Sequence, residues 1–139
     1  GTDTAVNGSG NEMIAYCFSG VQGFSKIGSY IGNGNADGPF CFTGMKTAFV
    51  MVKRSSAAGE NWIIVDNKRD TFNPQDSSLY PNLSNAEDAN GADYFDFYSN
   101  GMKVRTTNGG TNTSGATYIY MAFAEAPLVG SNNVPCTAR

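Results

Sequence analysis

Asn112-Thr-Ser-Gly-Ala-Thr-Tyr-Ile-Tyr-Met-Ala-Phe123 reads as a turn followed by an apolar strand, and it has a partial twin near the other end of the chain. Asn7-Gly-Ser-Gly-Asn-Glu-Met-Ile-Ala-Tyr-Cys-Phe18 aligns on it without a gap at a constant offset of 105. Thr2–Phe18 against Thr107–Phe123 gives six identities in 17, at Thr2, Asn7, Ser9, Gly10, Ile14 and Phe18. Composition alone would give about one or two. The shared Asn-x-Ser-Gly is turn chemistry, in which glycine takes positive φ and Asn and Ser cap with their side chains. Residues 1–18 therefore read as the closing turn and strand of a preceding repeat unit, or as a strand shared with it. Residues 19–126 read as the β-sandwich repeat domain and residues 127–139 as a C-terminal tail.

Working outward, apolar alternation and turn residues divide the rest into short strands. Met13–Phe18 is apolar on both faces and reads as a central strand. Residues 24–31 follow, then a glycine-rich connection to a short strand at 39–43, where Pro39 suits a first position. Residues 46–54 and 61–66 form a hairpin expected at the centre of a sheet. Residues 79–83 are a weak strand, and Ser84-Asn-Ala-Glu87 has capping-box spacing for a single helical turn over 85–89. Residues 93–98 and 102–105 pair through the tight turn at Ser99–Gly101. Eight or nine strands with at most one helical turn predict an all-β fold, an antiparallel two-sheet sandwich of jelly-roll or lectin-like type. A closed barrel is the alternative. The expected inner faces carry Ile14, Phe18, Val50, Val52, Ile64, Phe95, Phe97, Ile119 and Phe123.

Composition agrees and excludes several functions. Gly, Asn, Ser and Thr make up 55 of the 139 residues, which suits turns rather than a helical bundle. Net charge is −3 and the nine Lys and Arg form no stripe, so phosphate-backbone binding is not expected. No apolar run reaches the roughly 20 residues that span a bilayer as a helix. Without histidine, His-dependent triads and His-ligated zinc are out of reach. Cys17, Cys41 and Cys136 have no metal-ligand spacing. The first two read as small apolar fillers and the third as exposed. No cofactor is expected.

Three groups of residues could carry chemistry. Asn33-x-Asn35-x-Asp37-Gly38 imitates the first half of a calcium loop, but Gly44 stands where the bidentate Glu belongs. A plain connecting loop is the better reading. Asp66, Asp70, Glu87, Asp88, Asp93 and Asp96 could pair as glycosidase acids, against the ordinary reading of solvated loop charge. Tyr94, Asp96 and Tyr98 on one strand face, with Tyr118 and Tyr120 on the closing strand, could form an exposed platform for sugar rings or a protein partner. Against it stands burial of the same tyrosines in a neighbouring subunit.

Several motifs occur in fixed order: Ser25-Lys-Ile-Gly-Ser-Tyr-Ile-Gly-Asn-Gly34, Ala36-Asp-Gly-Pro-Phe40, Ala48-Phe-Val-Met-Val-Lys-Arg54, Asn61-Trp62 through Asp66, Phe97-Tyr-Ser-Asn-Gly101 and Ser114–Glu125. In these the chain resembles the C-terminal repeat domain of tailed-bacteriophage appendage or virion structural proteins, especially marine ones. The resemblance covers most of residues 13–139 and extends to Thr137-Ala-Arg139. It implies a non-catalytic, lectin-like β-sandwich displayed on the virion surface, in tail fibre, tailspike or capsid decoration. Expected partners are other virion proteins, a host cell-surface glycan and further copies of itself, with a homotrimer favoured. That would bury outward residues such as Phe24, Phe40 or Phe72 at chain–chain contacts. A purely architectural role, a glycan depolymerase and a bacterial adhesin repeat are the alternatives.

Overall fold

A computed structural model describes residues 4–89 and 91–126. The expected tail at 127–139, with Cys136, lies outside the described residues, as does Thr2 of the repeat. Among the described residues, seven strands form two antiparallel sheets, accompanied by two one-turn helices. The strands are β1 (Ser25–Ile31), β2 (Phe40–Phe42), β3 (Thr47–Arg54), β4 (Ile63–Asp66), β5 (Phe95–Tyr98), β6 (Gly101–Val104) and β7 (Thr117–Ala124). The helices are α1 (Thr4–Asn7) and α2 (Gly109–Asn112). One sheet runs β1-β7-β3-β4 and the other β2-β6-β5. Val50, Val52, Ile63, Val65, Tyr118 and Ala122 from the first meet Cys41, Phe95, Met102 and Val104 from the second in one buried core. That is the expected all-β sandwich.

β7 is the central element, paired to β1 on one edge and β3 on the other across nearly its whole length. β3 and β4 are neighbours as expected, but β4 is the sheet's outer named strand, and the central pair is β7–β3. β5 and β6 pair through a two-residue turn, Ser99-Asn100, because Tyr98 faces Gly101 in register. Residues 79–83 form only a bridge, Ile64↔Leu79, and residues 85–89 form no helix. Helical turns lie instead at α1 and α2, one more than expected, and at α2 the Asn108 side chain caps Gly110 N at 2.7 Å.

Three core expectations are reversed. In β7 the buried residues are Tyr118, Tyr120 and Ala122, whereas Ile119 is exposed and Phe123 lies at the opposite face. In β4, Ile63 and Val65 point inward rather than Ile64. Tyr118, and Tyr30 of β1 beside it, can take the inner face because their hydroxyls find partners. Tyr118 Oη donates to Gly109 O at 2.7 Å and accepts from Thr113 N at 2.8 Å, and Tyr30 Oη donates to Thr111 O at 2.7 Å. The two rings stack with centroids 5.0 Å apart. The third reversal is Met13–Phe18, which is exposed and in no sheet, so Ile14 and Phe18 are not core. Cys17 is likewise exposed, while Cys41 is buried as a filler.

Asn112 fixes the approach to β7. It is fully buried, accepts from Asn33 N at 2.9 Å, and its amide nitrogen reaches Asn35 O and Thr106 O at 2.7 Å each. Removing the amide leaves the Asn33 N–H, the Asn35 carbonyl and the buried Thr106 carbonyl without their partners. Asn112→Ala is expected to destabilise the domain by about 3 kcal/mol in urea unfolding, with an unchanged m-value.

Candidate functional site

The outer face of the three-stranded sheet gathers the chain's clearest surface site. Register places Phe40, Lys103 and Asp96 in one row across β2, β6 and β5, and Phe42, Gly101 and Tyr98 in the next. Gly101 is a hole in this surface. A Cβ there would fall 2.6 Å from the Phe40 ring and 2.4 Å from Cys41 O, so no side chain fits. The Phe40 ring lies across the gap and meets Tyr98 edge-to-face with centroids 6.0 Å apart. Phe42 is 64% exposed and also walls an open recess of about 430 Å³ reaching Gly20 and Lys26.

A line of charge borders the aromatic rings. Lys103 Nζ pairs with Asp37 at 2.5 Å, and Arg105 spans Asp37 at 3.6 Å and Asp96 at 3.3 Å. Tyr98 Oη donates to Asp96 Oδ2 at 3.2 Å. The Lys103 ammonium, through its hydrogen bond and its charge, holds the Asp37 carboxyl below its usual range. Partial burial, and then the Asp96 carboxylate, raise the Tyr98 phenol. A bound polyol would therefore meet apolar ring faces, one phenol, two cations and two carboxylates in a single surface.

Of the five expected platform residues, the structure brings Asp96 and Tyr98 together on this face, and β5–β6 register sets Tyr94 beside Arg105. Tyr118 and Tyr120 are not part of it. Both are core residues of the other sheet, and their burial corrects the expectation of an exposed pair. Phe40 and Phe42 are the residues that the platform reading missed. Their signal was present as Phe-Cys-Phe over 40–42, two aromatics flanking the small core residue Cys41.

The other candidates have structural occupations. Asn33 Oδ1 accepts from Asn35 N at 2.9 Å, Asn35 Oδ1 accepts from Asp37 N at 2.8 Å, and Asp37 turns to Lys103. The Asn33 and Asn35 side chains brace the loop in two successive Asx turns, and no cluster of three or more His, Cys, Asp or Glu suited to a metal occurs among the described residues. Asp66 pairs with Arg69 at 2.7 Å, and Arg69 with Glu87 at 2.9 Å. Burial pushes Asp66 up, but hydrogen bonds from the Arg69 side chain and the Arg69 and Lys68 amides outweigh it and leave the carboxyl below its usual range. Asp70 caps Asp76 N, Ser77 N and Ser77 Oγ at 2.7 to 2.8 Å. Phe24 and Phe72 are exposed, and Phe72 edges a second open recess of about 440 Å³ in which Glu125 pairs with Lys46 and Lys68.

A family model described as a domain of unknown function, DUF7483, matches residues 1–127. The chain belongs to that family. No curated protein and no solved structure matches it. The family span takes in both the sandwich and residues 1–18 that precede it. No described helix is long and apolar enough to cross a membrane.

Asp93 stands apart from the other carboxylates. It is buried at the end of α2, where it accepts from Thr111 Oγ1 at 3.2 Å. Burial raises its pKa to about 6, the Thr111 hydrogen bond opposes the rise, and the charges of Glu60 and Asp88 add to it. Since the folded pKa exceeds the unfolded one, the native state binds more protons between about pH 4 and 6, and the stability from this group falls as pH rises through that window. Asp93→Asn removes the cost of the buried charge. The variant is expected to gain on the wild type as pH rises, with the difference levelling near 3 kcal/mol above about pH 7, as measured by urea unfolding at successive pH values.

Proposed function

We propose that this domain is a non-catalytic display module of a phage virion, and that it attaches to host-surface glycan through the outer face of its three-stranded sheet. The supporting observation is the set of three exposed aromatic rings, Phe40, Phe42 and Tyr98, laid around Gly101 beside a charged border. Sugars are bound by stacking their C–H faces on aromatic rings while carboxylates and cations take their hydroxyls. The engagement of Asp66, Asp70 and Asp96 in ion pairs and loop caps supports a non-catalytic reading, because those acids already serve the fold. The experiment is a glycan array probed with the intact domain, followed by calorimetry on the best ligand. Tyr98→Ala and Phe42→Ala are each expected to weaken binding about tenfold, near 1.4 kcal/mol, while leaving the unfolding midpoint almost unmoved. Unchanged affinity in the double variant would sink the assignment.

A second reading, an architectural module that assembles with its own copies, is favoured by the outer face of the four-stranded sheet. Cross-strand register aligns Ile27, Met121, Met51 and Ile64 in one row, with Phe123 and Phe49 in the row beside it. Ile27, Ile31 and Ile119 are exposed there. An apolar sheet face of this extent suits burial against another subunit, and a trimer is the assembly expected. Sedimentation of the wild type should then give an oligomer that Ile119→Asp converts to monomer without loss of fold. A monomeric wild type at high concentration would exclude this reading.

A further inference from the structure

Residues 4–18 repeat the α2–β7 segment in conformation as well as in sequence, up to a definite point. α1 and α2 lie at the same offset of 105 that aligns the two sequences. Each is followed by one residue and a Ser-Gly turn, with Gly10 at φ 80° and Gly115 at φ 75°. Even the turn hydrogen bond recurs, Asn11 N to Gly8 O at 3.2 Å and Ala116 N to Thr113 O at 3.1 Å. Beyond it the copies diverge. Thr117–Ala124 is the central strand, whereas residues 12–18 make no backbone–backbone hydrogen bond among the described residues.

What separates the copies is the presence of neighbours rather than the pattern of side chains. Met13, Ala15 and Cys17 stand where Tyr118, Tyr120 and Ala122 enter the core, and Ile14, Tyr16 and Phe18 stand where Ile119, Met121 and Phe123 face outward. The segment is thus apolar on both faces, as a strand with a partner on each edge should be, and unlike an edge strand protected by charge. Yet Ile14 is 83% and Tyr16 82% exposed. Phe18 meets Phe123 edge-to-face at 6.2 Å, which brings the segment to the outer face of this domain's own closing strand.

We infer that residues 4–18 are the closing helix–turn–strand element of a second sandwich of this family, entering between that sandwich's counterparts of β1 and β3. The partner is thereby specified as a β1/β3 pair with an open central slot, and residues 19–24 form the joint between the two sandwiches. The inference is independent of the glycan assignment, since it uses neither Phe42 nor Tyr98.

The test extends the full chain upstream. Residues 19–106 fused directly ahead of residue 2 preserve the spacing between strand and closing element, and residues 2–18 become the only such element for the added sandwich. Hydrogen exchange at residues 13–18 is expected to slow roughly 100-fold relative to the 139-residue chain, alongside protection of the added β1 and β3. A parallel fusion carrying residues 107–123 at the junction shows whether the added sandwich can fold at all. As a second arrangement, residues 107–123 of the single chain are replaced by the sequence of residues 2–18. Cooperative unfolding is expected there, and it should be absent when the transplanted segment is scrambled. The inference is overturned if residues 13–18 exchange as fast in the fusion as in the single chain and the transplant unfolds no more cooperatively than its scrambled control.

Discussion

The constraint on which the sandwich depends is that β7 must be gripped on both edges while its Tyr118 ring stacks in the core on Tyr30 of β1. β1 and β3 supply the edges. The tyrosines impose a further condition, because a phenol can enter a core only if its hydroxyl is met there. α2 meets it for Tyr118 with Gly109 O and Thr113 N, and for Tyr30 with Thr111 O. The same short helix ends in Asn112, whose side chain ties the turn at Asn33–Asn35 to Thr106. One buried polar network therefore sets where the last strand enters, how its aromatic rings stack, and how the loop after β1 is held. Such networks are stabilising only when complete, which makes the short stretch from Asn108 to Tyr118 more consequential than its length suggests.

This also explains which parts of the fold can be read from residues alone. Strand locations follow from local alternation and turn chemistry, so six of the described strands fall inside segments that the pattern marks out, and β6 starts one residue earlier than expected, at Gly101. The facing of β7 does not follow, because Ile119 and Phe123 are the more apolar set and hydrophobicity alone puts them inside. The acceptor that admits Tyr30 lies 81 residues away in sequence, and no local rule reaches that far. Met13–Phe18 departs from the pattern for a related reason: a two-sided apolar run becomes a strand only where both edges have partners, and here they are absent from the described residues.

The surface site was half legible for the same physical cause. Asp96 and Tyr98 share a face by the period of a single strand, which needs no tertiary information. Their aromatic companions come from β2, more than 50 residues earlier, through a pairing of only three residues. The clue that joins them is Gly101. Glycine inside a strand weakens it unless another group occupies the space above its backbone, and here the Phe40 ring does so.

The two outer faces divide the molecule chemically. Across the three-stranded sheet, Lys103, Arg105, Asp96 and Asp37 intersperse the rings with charge, a surface that tolerates water. Across the four-stranded sheet, one row is entirely Ile and Met (Ile27, Met121, Met51 and Ile64), and the row beside it centres on Phe123 and Phe49 between Ser25 and Asp66. Apolar area left in water forgoes roughly 25 cal/mol for each Å² that could be covered, so a face of that kind is stable in isolation only at a cost that any packing neighbour removes. Phe18 already rests on its Phe123 corner, at the end of a segment that is itself apolar on both sides. The two faces therefore differ in what relieves them: the apolar one by packing against another surface, the mixed one by water itself.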